Sequence, residues 1–181
     1  MNQLHWDLGD GVTLRTYVVG DAEELFALVD ANRARLRPWM IWEPTTKTAD
    51  DTRAFIQACL ASTDYEGNGL WRDADLIGGI GLSLDTMANS GEIGYWLADG
   101  QEGKGVVTRA CTRFFDFAFD ELGLHRMELQ AAVENVKSRA VAQRLGMREE
   151  GVLRGAGKVG GGLYVDLVIY GQVVDDWRKT V

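Results

Sequence analysis

The segment from residue 92 to residue 122 places a strand, a glycine-containing loop and a helix in direct succession. One β-branched residue and two aromatic residues indicate a strand at 92–97. The helix is indicated by apolar residues at spacings of three and four, namely Val107, Cys111, Phe114, Ala118 and Leu122. Gly103 and Gly105 lie between them and allow close approach to the backbone. Because a helix start also offers free N–H groups and a positive dipole end, the segment predicts an anion site.

The loop matches neither of the two common nucleotide motifs. A P-loop would need Gly-Lys-Ser/Thr after four variable residues, and that pattern is absent from the loop. The dinucleotide fingerprint would need a third glycine where the chain has Thr108. The phosphate ligand must therefore be identified from the flanking sequence.

The remaining segments predict an α/β (α+β) fold with a mixed, mostly antiparallel sheet. The order is strand, two helices, three strands, helix, strand, helix, two strands, which gives about seven strands and about four helices. A length of 181 residues is typical of one domain, here 1–181. The predicted elements are a strand at 12–17, a helix from 21 to about 35, a loop at 36–47, a helix that Thr48 caps and that ends at 67–69, a hairpin at 70–82, a strand at 125–133, a helix at 135–145, and strands at 147–154 and 163–174.

Composition limits the classes of partner. The formal net charge of −8 argues against direct nucleic-acid binding and suits a cationic acceptor, although excess acid also aids solubility. The two histidines, His5 and His125, are too far apart in sequence to indicate a metal site. Cys59 and Cys111 lie in apolar helical patterns and are expected to be buried, reduced thiols. Neither a signal peptide nor a membrane span is indicated, so we expect a cytoplasmic protein with no membrane partner.

Four motifs in one order resemble those of the GCN5-related N-acetyltransferase (GNAT) superfamily, within it the ribosomal-protein N-acetyltransferase (RimJ/RimL-like) branch. They are Gly-Tyr-Trp-Leu at 94–97, Glu-Gly-Lys-Gly at 102–105, Asn-Val-Lys-Ser at 135–138 and Leu-Gly-Met at 145–147. The resemblance runs from Leu14 to Trp177. It implies two central parallel strands that splay apart to hold acetyl-CoA, with no metal, and a homodimer.

The resemblance also implies which residues bind the cofactor. The pyrophosphate loop begins at Glu102, where many relatives carry Gln or Arg; this departure affects a side-chain contact to the cofactor and leaves the backbone cradle as expected. A backbone N–H near Trp96 or Leu97 is the expected donor to the oxyanion. The full implied set is Trp96, Leu97, Glu102, Gly103, Lys104, Gly105, Val106, Val107, Asn135 and Ser138.

Two residues are candidates for proton transfer. Other branches place a tyrosine acid at the position of Ala142, so Ser138 is the candidate donor to the leaving thiolate. Asn135 is equally a good helix N-cap, which would put Ser138 in the first helical turn. Some relatives carry a glutamate base at the position of Gly157, so Glu92 is the remaining candidate base here. Glu92 is as well explained as a solvent-facing strand residue, and water alone is another route for the proton.

The resemblance places the acceptor beside the loop at 36–47. Trp39 and Trp42 lie in this loop and would hold a peptide or an amine, unless they only pack the loop onto the sheet. Tyr164, with Asp166, is a further candidate to line the entrance to this acceptor site, called the acceptor mouth below. The predicted activity is acetyl transfer from acetyl-CoA to a primary amine, with the N-terminal α-amino group of a ribosomal protein as acceptor. The alternatives are a small amine acceptor or a non-catalytic acetyl-CoA-binding module.

Overall fold

The computed structural model describes residues 3–179, and these residues form one eight-stranded sheet with helices on both faces. The strands are β1 (His5–Asp7), β2 (Val12–Thr16), β3 (Tyr65–Arg72), β4 (Asp75–Asp85), β5 (Ser90–Leu97), β6 (Arg126–Ala132), β7 (Arg148–Lys158) and β8 (Tyr164–Val173). The α-helices are α1 (Ala22–Ala31), α2 (Arg33–Leu36), α3 (Ala49–Ala61), α4 (Val106–Asp116), α5 (Val136–Arg144) and α6 (Val174–Trp177). Short 3₁₀ turns occupy Val19–Asp21 and Glu43–Thr45, and a π-helical turn, Phe117–Glu121, extends α4.

The strand order in the sheet is β1-β2-β3-β4-β5-β6-β8-β7. Every neighbouring pair is antiparallel except β5 and β6, which run parallel. This arrangement confirms the predicted mixed, mostly antiparallel sheet. The additional strand is β1, whose three residues are too few for an alternation pattern to appear in the sequence.

Local sequence signals explain where several helices begin and end. The Thr48 hydroxyl accepts a hydrogen bond from the Asp51 backbone N–H at the start of α3, as predicted. The Asn135 side chain accepts from the Ser138 N–H in the same way at α5. Gly146 follows α5 with a φ of +72°, the left-handed conformation that ends many helices.

The helix predicted from 21 to about 35 is divided at Asn32 into α1 and α2, and two boundaries at glycines also differ from the sequence prediction. The glycines at 67–69 do not end a helix, since α3 stops at Ala61 and these residues lie inside β3. A Cβ at Gly67 would lie 2.8 Å from Cys59 Sγ, and one at Gly69 would lie 2.1 Å from the Trp71 ring. The glycines are therefore explained by close packing rather than by a turn. Likewise, β7 continues to Lys158, so Gly155 and Gly157 belong to a strand instead of the connecting loop.

The sheet separates two apolar clusters. The larger cluster contains buried residues of α4 and α5, together with Ile93 and Leu97 of β5. The smaller cluster contains residues of α1 and α3, and Trp42 and Trp96 pack against it. Because side chains alternate along a strand, β5 presents Ile93, Tyr95 and Leu97 to the α4 face and Glu92, Gly94 and Trp96 to the α1 face.

The two cysteines, Cys59 and Cys111, are free and buried, as predicted. Burial raises the pKa of the Cys59 thiol to about 11, and burial raises the pKa of Cys111 as well, so both thiols stay protonated near neutral pH. Among the helices of residues 3–179, none is long and apolar enough to cross a membrane.

Candidate active site

The central parallel strands part from each other along their length. The Cα partners of β5 and β6 are Ser90 with Arg126, Gly91 with Met127 and Glu92 with Glu128. Beyond Glu92, β5 continues to Leu97 and β6 to Ala132, and the register between them holds no further pair in the described chain. A gap therefore opens in the middle of the sheet, with backbone groups on its β5 edge that no strand occupies.

The backbone of Leu97 points into this gap. The Ala98 N–H donates to the Ile77 carbonyl, and Leu97 is the Cα partner of Gly78 in the antiparallel β4–β5 register. Adjacent residues in such a ladder direct their N–H groups to opposite sides. The Trp96 N–H consequently faces β4, whereas the Leu97 N–H faces β6 and the gap. Of the two predicted oxyanion donors, the geometry favours Leu97.

The glycine loop lies at the end of β5 and leads into α4. Gly103 and Gly105 have φ angles of +74° and +71°, and a Cβ at Gly103 would meet no atom within 4 Å. Gly105 is the N-cap of α4, where no side chain caps the helix. The N–H groups of Val106, Val107 and Thr108 donate to no acceptor within residues 3–179. The loop is thus an open cradle of backbone donors at a helix N-terminus, which fits a pyrophosphate.

Glu102 is held at the edge of this cradle by two cations. Its carboxylate forms ion pairs with Arg35 of α2 and with Lys137 Nζ of α5, the latter at 2.5 Å. Burial opposes ionisation, but the hydrogen bonds and charges of Lys137 and Arg35 outweigh it, so the pKa of Glu102 is lowered. Arg35 Nε also lies 3.4 Å from the Leu97 carbonyl oxygen. Lys104, by contrast, only approaches Gln101 Oε1 at 3.4 Å.

Ser138 contacts a residue of β5 beside the gap. Its hydroxyl oxygen lies 2.9 Å from the Tyr95 hydroxyl, and its N–H donates to Asn135 Oδ1 at 3.2 Å. Asn135 is therefore an N-cap and Ser138 lies in the first turn of α5, as the sequence suggested. Burial is the main reason that the pKa of Tyr95 is raised, and the hydroxyl remains protonated at neutral pH.

Glu92 lies at the last paired position, where the gap begins. Its side chain is exposed, and Oε2 accepts a hydrogen bond from Gln130 Nε2 at 3.2 Å. Surrounding protein atoms and, secondarily, the charge of Glu128 raise the pKa of Glu92. A Cβ at Gly94, the next residue on this face, would meet no atom within 4 Å, so the surface beside Glu92 is open.

The loop with the two tryptophans covers the same face of β5. The rings of Trp42 and Trp96 pack with centroids 6.1 Å apart, whereas Trp39 remains 36% exposed. The structure therefore assigns packing to Trp42 and leaves Trp39 accessible. The loop is anchored by Glu43, which is fully buried and accepts hydrogen bonds from Arg37 Nε at 2.8 Å and Arg33 Nη1 at 3.0 Å.

The β7–β8 hairpin borders this loop. A Cβ at Gly160 would lie 2.4 Å from the Arg37 carbonyl oxygen, so the hairpin tip touches the loop closely. Tyr164 is 71% exposed, and its ring faces Lys158 Nζ at 5.9 Å. Asp166 Oδ1 accepts a hydrogen bond from the Gly155 N–H at 2.7 Å, so its carboxylate joins the two strands of the hairpin. Tyr164 is therefore on the neighbouring hairpin, but no ring contact joins it to the tryptophans in the described residues.

Three residues of this region were not identified from the sequence. Tyr95 contacts Ser138, Arg35 contacts Glu102, and Glu43 anchors the tryptophan loop. The alternation of β5 contained one signal, because Tyr95 is the polar residue on a face otherwise formed by Ile93 and Leu97. The partners of Arg35 and Glu43 depend on how distant segments fold together, and periodicity carries no information about them.

The central parallel strands that part beside an open helix N-terminus are the arrangement that the motif resemblance implied. The family model described as "Acetyltransferase (GNAT) domain" matches residues 12–148. Because this match covers well over half of the sequence, the chain belongs to the GNAT acetyltransferase family.

Named relatives extend the comparison along the chain. The present chain is 38% identical over 176 residues to "Putative ribosomal N-acetyltransferase YdaF" of Bacillus subtilis (strain 168), and the match covers 94% of this chain and 96% of that protein. It is 24% identical over 172 residues to "Ribosomal-protein-serine acetyltransferase" of Escherichia coli (strain K12), covering 93% and 96%. The solved structure of microcin C7 self immunity acetyltransferase MccE in complex with acetyl-CoA and AMP superposes with a TM-score of 0.85 at 27% identity, covering 92% and 94%.

Proposed function

We propose that the protein transfers the acetyl group of acetyl-CoA to the N-terminal α-amino group of a protein, with ribosomal proteins as the acceptor class. The observation that carries the proposal is the gap between β5 and β6 beside the open cradle of residues 103–107. The names of the relatives supply the acceptor class. The reaction belongs in the cytoplasm, and the homodimer expected from the family resemblance stays a prediction.

The chain binds acetyl-CoA through its backbone. The free N–H groups of Val106, Val107 and Thr108 would hold the pyrophosphate, and the dipole of α4 would stabilise its charge. The unoccupied edge of β5 offers N–H and C=O groups to an extended amide-bearing chain. When bound, acetyl-CoA supplies a thioester carbonyl that an amine attacks. The Leu97 N–H is placed to stabilise the oxyanion, because it is a preorganised donor that faces the gap.

The acetyl donor and the amine acceptor are assigned to opposite faces of β5. Tyr95 and Ser138 lie on the face of α4 and α5, whereas Glu92, Trp96 and Trp42 lie on the opposite face. The thiol therefore leaves beside Ser138, and the amine enters beside Glu92 and the tryptophan loop. Glu92 accepts a proton from the incoming ammonium, because only the neutral amine has a lone pair that can attack the thioester. Its raised pKa makes it a better base than an ordinary surface carboxylate.

The acceptor mouth suits a flexible cationic segment. Trp39 presents an exposed indole ring, and the surface at Gly94, beside Glu92, is open. An α-ammonium group is attracted both by an aromatic face and by a carboxylate. The net charge of −8 favours encounter with a basic polypeptide or another cationic amine.

The experiment is acetyl-group transfer to a panel of acceptors. The purified protein is incubated with acetyl-CoA and with ribosomal proteins, short peptides with free N-termini, the same peptides with blocked N-termini, spermidine and single amino acids. Thiol release and intact-mass analysis report transfer and its position. We expect one acetyl group on the α-amino nitrogen of ribosomal proteins. Transfer only to the small amines would assign the protein to small-molecule acetylation, and binding of acetyl-CoA without any transfer would make it a non-catalytic binding module.

A further inference from the structure

A side-chain hydrogen bond joins β5 to α5 beside the gap between the parted strands. It joins the hydroxyl groups of Tyr95 on β5 and Ser138 on α5 at 2.9 Å, and the Tyr95 hydroxyl also lies 3.4 Å from the Ser138 carbonyl oxygen. These contacts occur beyond Glu92, where the two strands no longer pair. The bond therefore lies beside the space in which the thioester is expected.

The chemistry of the two hydroxyl groups favours Tyr95 as the donor of this bond. A phenolic hydroxyl is more acidic than an aliphatic one and is the better donor. Burial keeps the Tyr95 hydroxyl in its neutral, donating form. Asn135 Oδ1 already accepts from the Ser138 backbone N–H, so the local backbone of Ser138 is fixed as well. With Tyr95 donating, the hydrogen of the Ser138 hydroxyl is free to point into the gap.

We propose that Tyr95 is a positioning residue that holds the Ser138 hydroxyl as a hydrogen-bond donor to the departing sulfur of acetyl-CoA. The inference rests on the proposed function. In the reaction the C–N bond forms, the C–S bond breaks and its electron pair goes to sulfur. An ammonium acceptor loses two protons: Glu92 takes the first and returns it to solvent, and the second leaves the nitrogen after the C–N bond forms and ends on the thiol. Ser138 gives the sulfur a hydrogen bond and not its own proton, so both hydroxyl groups end the reaction in their initial protonation states.

If the bond between Tyr95 and Ser138 served only to hold β5 and α5 together, its loss would have different effects on stability, binding and rate. Loss of a structural contact would lower thermal stability and weaken acetyl-CoA binding, and it would do so in either single variant, because changing Tyr95 or Ser138 breaks the same contact. A positioning role predicts loss in the chemical step alone, together with strong coupling between Tyr95 and Ser138, since residues that act as a unit give non-additive rate losses.

The experiment compares Tyr95→Phe, Ser138→Ala and the double variant in single-turnover acetyl transfer at saturating acetyl-CoA and acceptor. The matched control is Tyr65→Phe on β3, because the Tyr65 hydroxyl makes no hydrogen bond within residues 3–179. Calorimetry measures the Kd for acetyl-CoA, and thermal unfolding checks the fold of each variant.

We expect Tyr95→Phe to slow transfer about tenfold with an unchanged Kd, consistent with the loss of one hydrogen bond worth about 1–1.5 kcal/mol in the transition state. The double variant should react no more slowly than Ser138→Ala. A wild-type rate for Tyr95→Phe, or rate losses that multiply in the double variant, would overturn this inference while leaving the proposed function intact. A wild-type protein that binds acetyl-CoA but acetylates no amine would overturn both.

Discussion

Lys137 Nζ lies 2.5 Å from Glu102 Oε2, although Lys137 belongs to α5 and Glu102 to the loop that precedes α4. The other carboxylate oxygen of Glu102 pairs with Arg35 of α2. One carboxylate thus joins three segments around the mouth of the gap. It also places a negative charge beside the cradle in which the cofactor's pyrophosphate is expected, and it occupies two cations that would otherwise attract a phosphate.

Replacement of Glu102 by Gln is therefore expected to strengthen acetyl-CoA binding. The change removes the repulsion and frees Arg35 and Lys137, and an exposed charge effect of this kind changes Kd by roughly two- to fivefold. The gain should shrink as salt is raised, because exposed charges are screened. Calorimetric Kd values at low and high salt measure it.

The matched control is Glu121→Gln, which removes the same charge from an exposed pair with Arg113 at the far end of the same helical segment. Equal gains in affinity for both variants would mean that only the net charge matters. Weaker binding by Glu102→Gln would mean that the Glu102 bridge helps to build the site rather than opposing the ligand.

Gly103 provides a test of the cradle with a control nearby. Gly100 and Gly103 have φ angles of +71° and +74°, and a Cβ at either would meet no atom within 4 Å. Alanine at each position therefore carries similar backbone strain, about 1 kcal/mol. We expect both variants to melt at similar temperatures, but only Gly103→Ala to lose much of the rise in Tm that acetyl-CoA produces in the wild-type protein. An equal rise in Tm for the two variants would mean that the pyrophosphate is not bound at Gly103.

Elements controlled by neighbouring residues could be predicted from the sequence, whereas long-range contacts could not. The N-caps at Thr48 and Asn135 could be predicted, because an N-cap depends on the capping residue and the next three residues of the chain. The parted strands were expected from the motif resemblance around the glycine loop. The bridge from Glu102 to Arg35 and the bond from Tyr95 to Ser138 depend on how separate helices settle on the sheet, and no local pattern encodes those distances.

Glu92 predicts a particular dependence of activity on pH. Its pKa is raised, mainly by the surrounding protein and then by Glu128, so the basic form accumulates only as the pH rises through this elevated value. The kcat/KM should increase over the same range in the wild-type protein. Glu92→Gln should lower kcat/KM at neutral pH, and the deficit should narrow at high pH, where the free amine is abundant.

Glu128→Gln is the companion variant for this test, since it keeps Glu92 and removes the neighbouring charge. The acidic limb of the profile should move to lower pH, because a like charge no longer disfavours ionisation of Glu92. If kcat/KM depended on pH identically in the wild type and both variants, Glu92 would be a surface strand residue and water would be the proton acceptor.

The two tryptophans of the acceptor loop are expected to behave differently. Trp39 is exposed, so Trp39→Ala should raise the acceptor KM with little change in Tm or in the Kd for acetyl-CoA. Trp42 packs against Trp96, so Trp42→Ala should lower stability by about 1–3 kcal/mol. Steady-state kinetics and thermal unfolding measure the two effects. An unchanged acceptor KM in Trp39→Ala would remove Trp39 from the acceptor mouth.

The central claim is that acetyl-CoA is bound in the gap between β5 and β6, with its pyrophosphate on the N-terminus of α4. Amide hydrogen exchange of the full chain, measured with and without acetyl-CoA, tests it most directly. We predict slower exchange at the Leu97 amide and at the amides of Val106, Val107 and Thr108, because the ligand would accept hydrogen bonds from them or cover them. Exchange in the β1–β2 hairpin at the far edge of the sheet should not change. Unaltered exchange at residues 97 and 106–108, in a protein whose Tm rises with acetyl-CoA, would contradict the account.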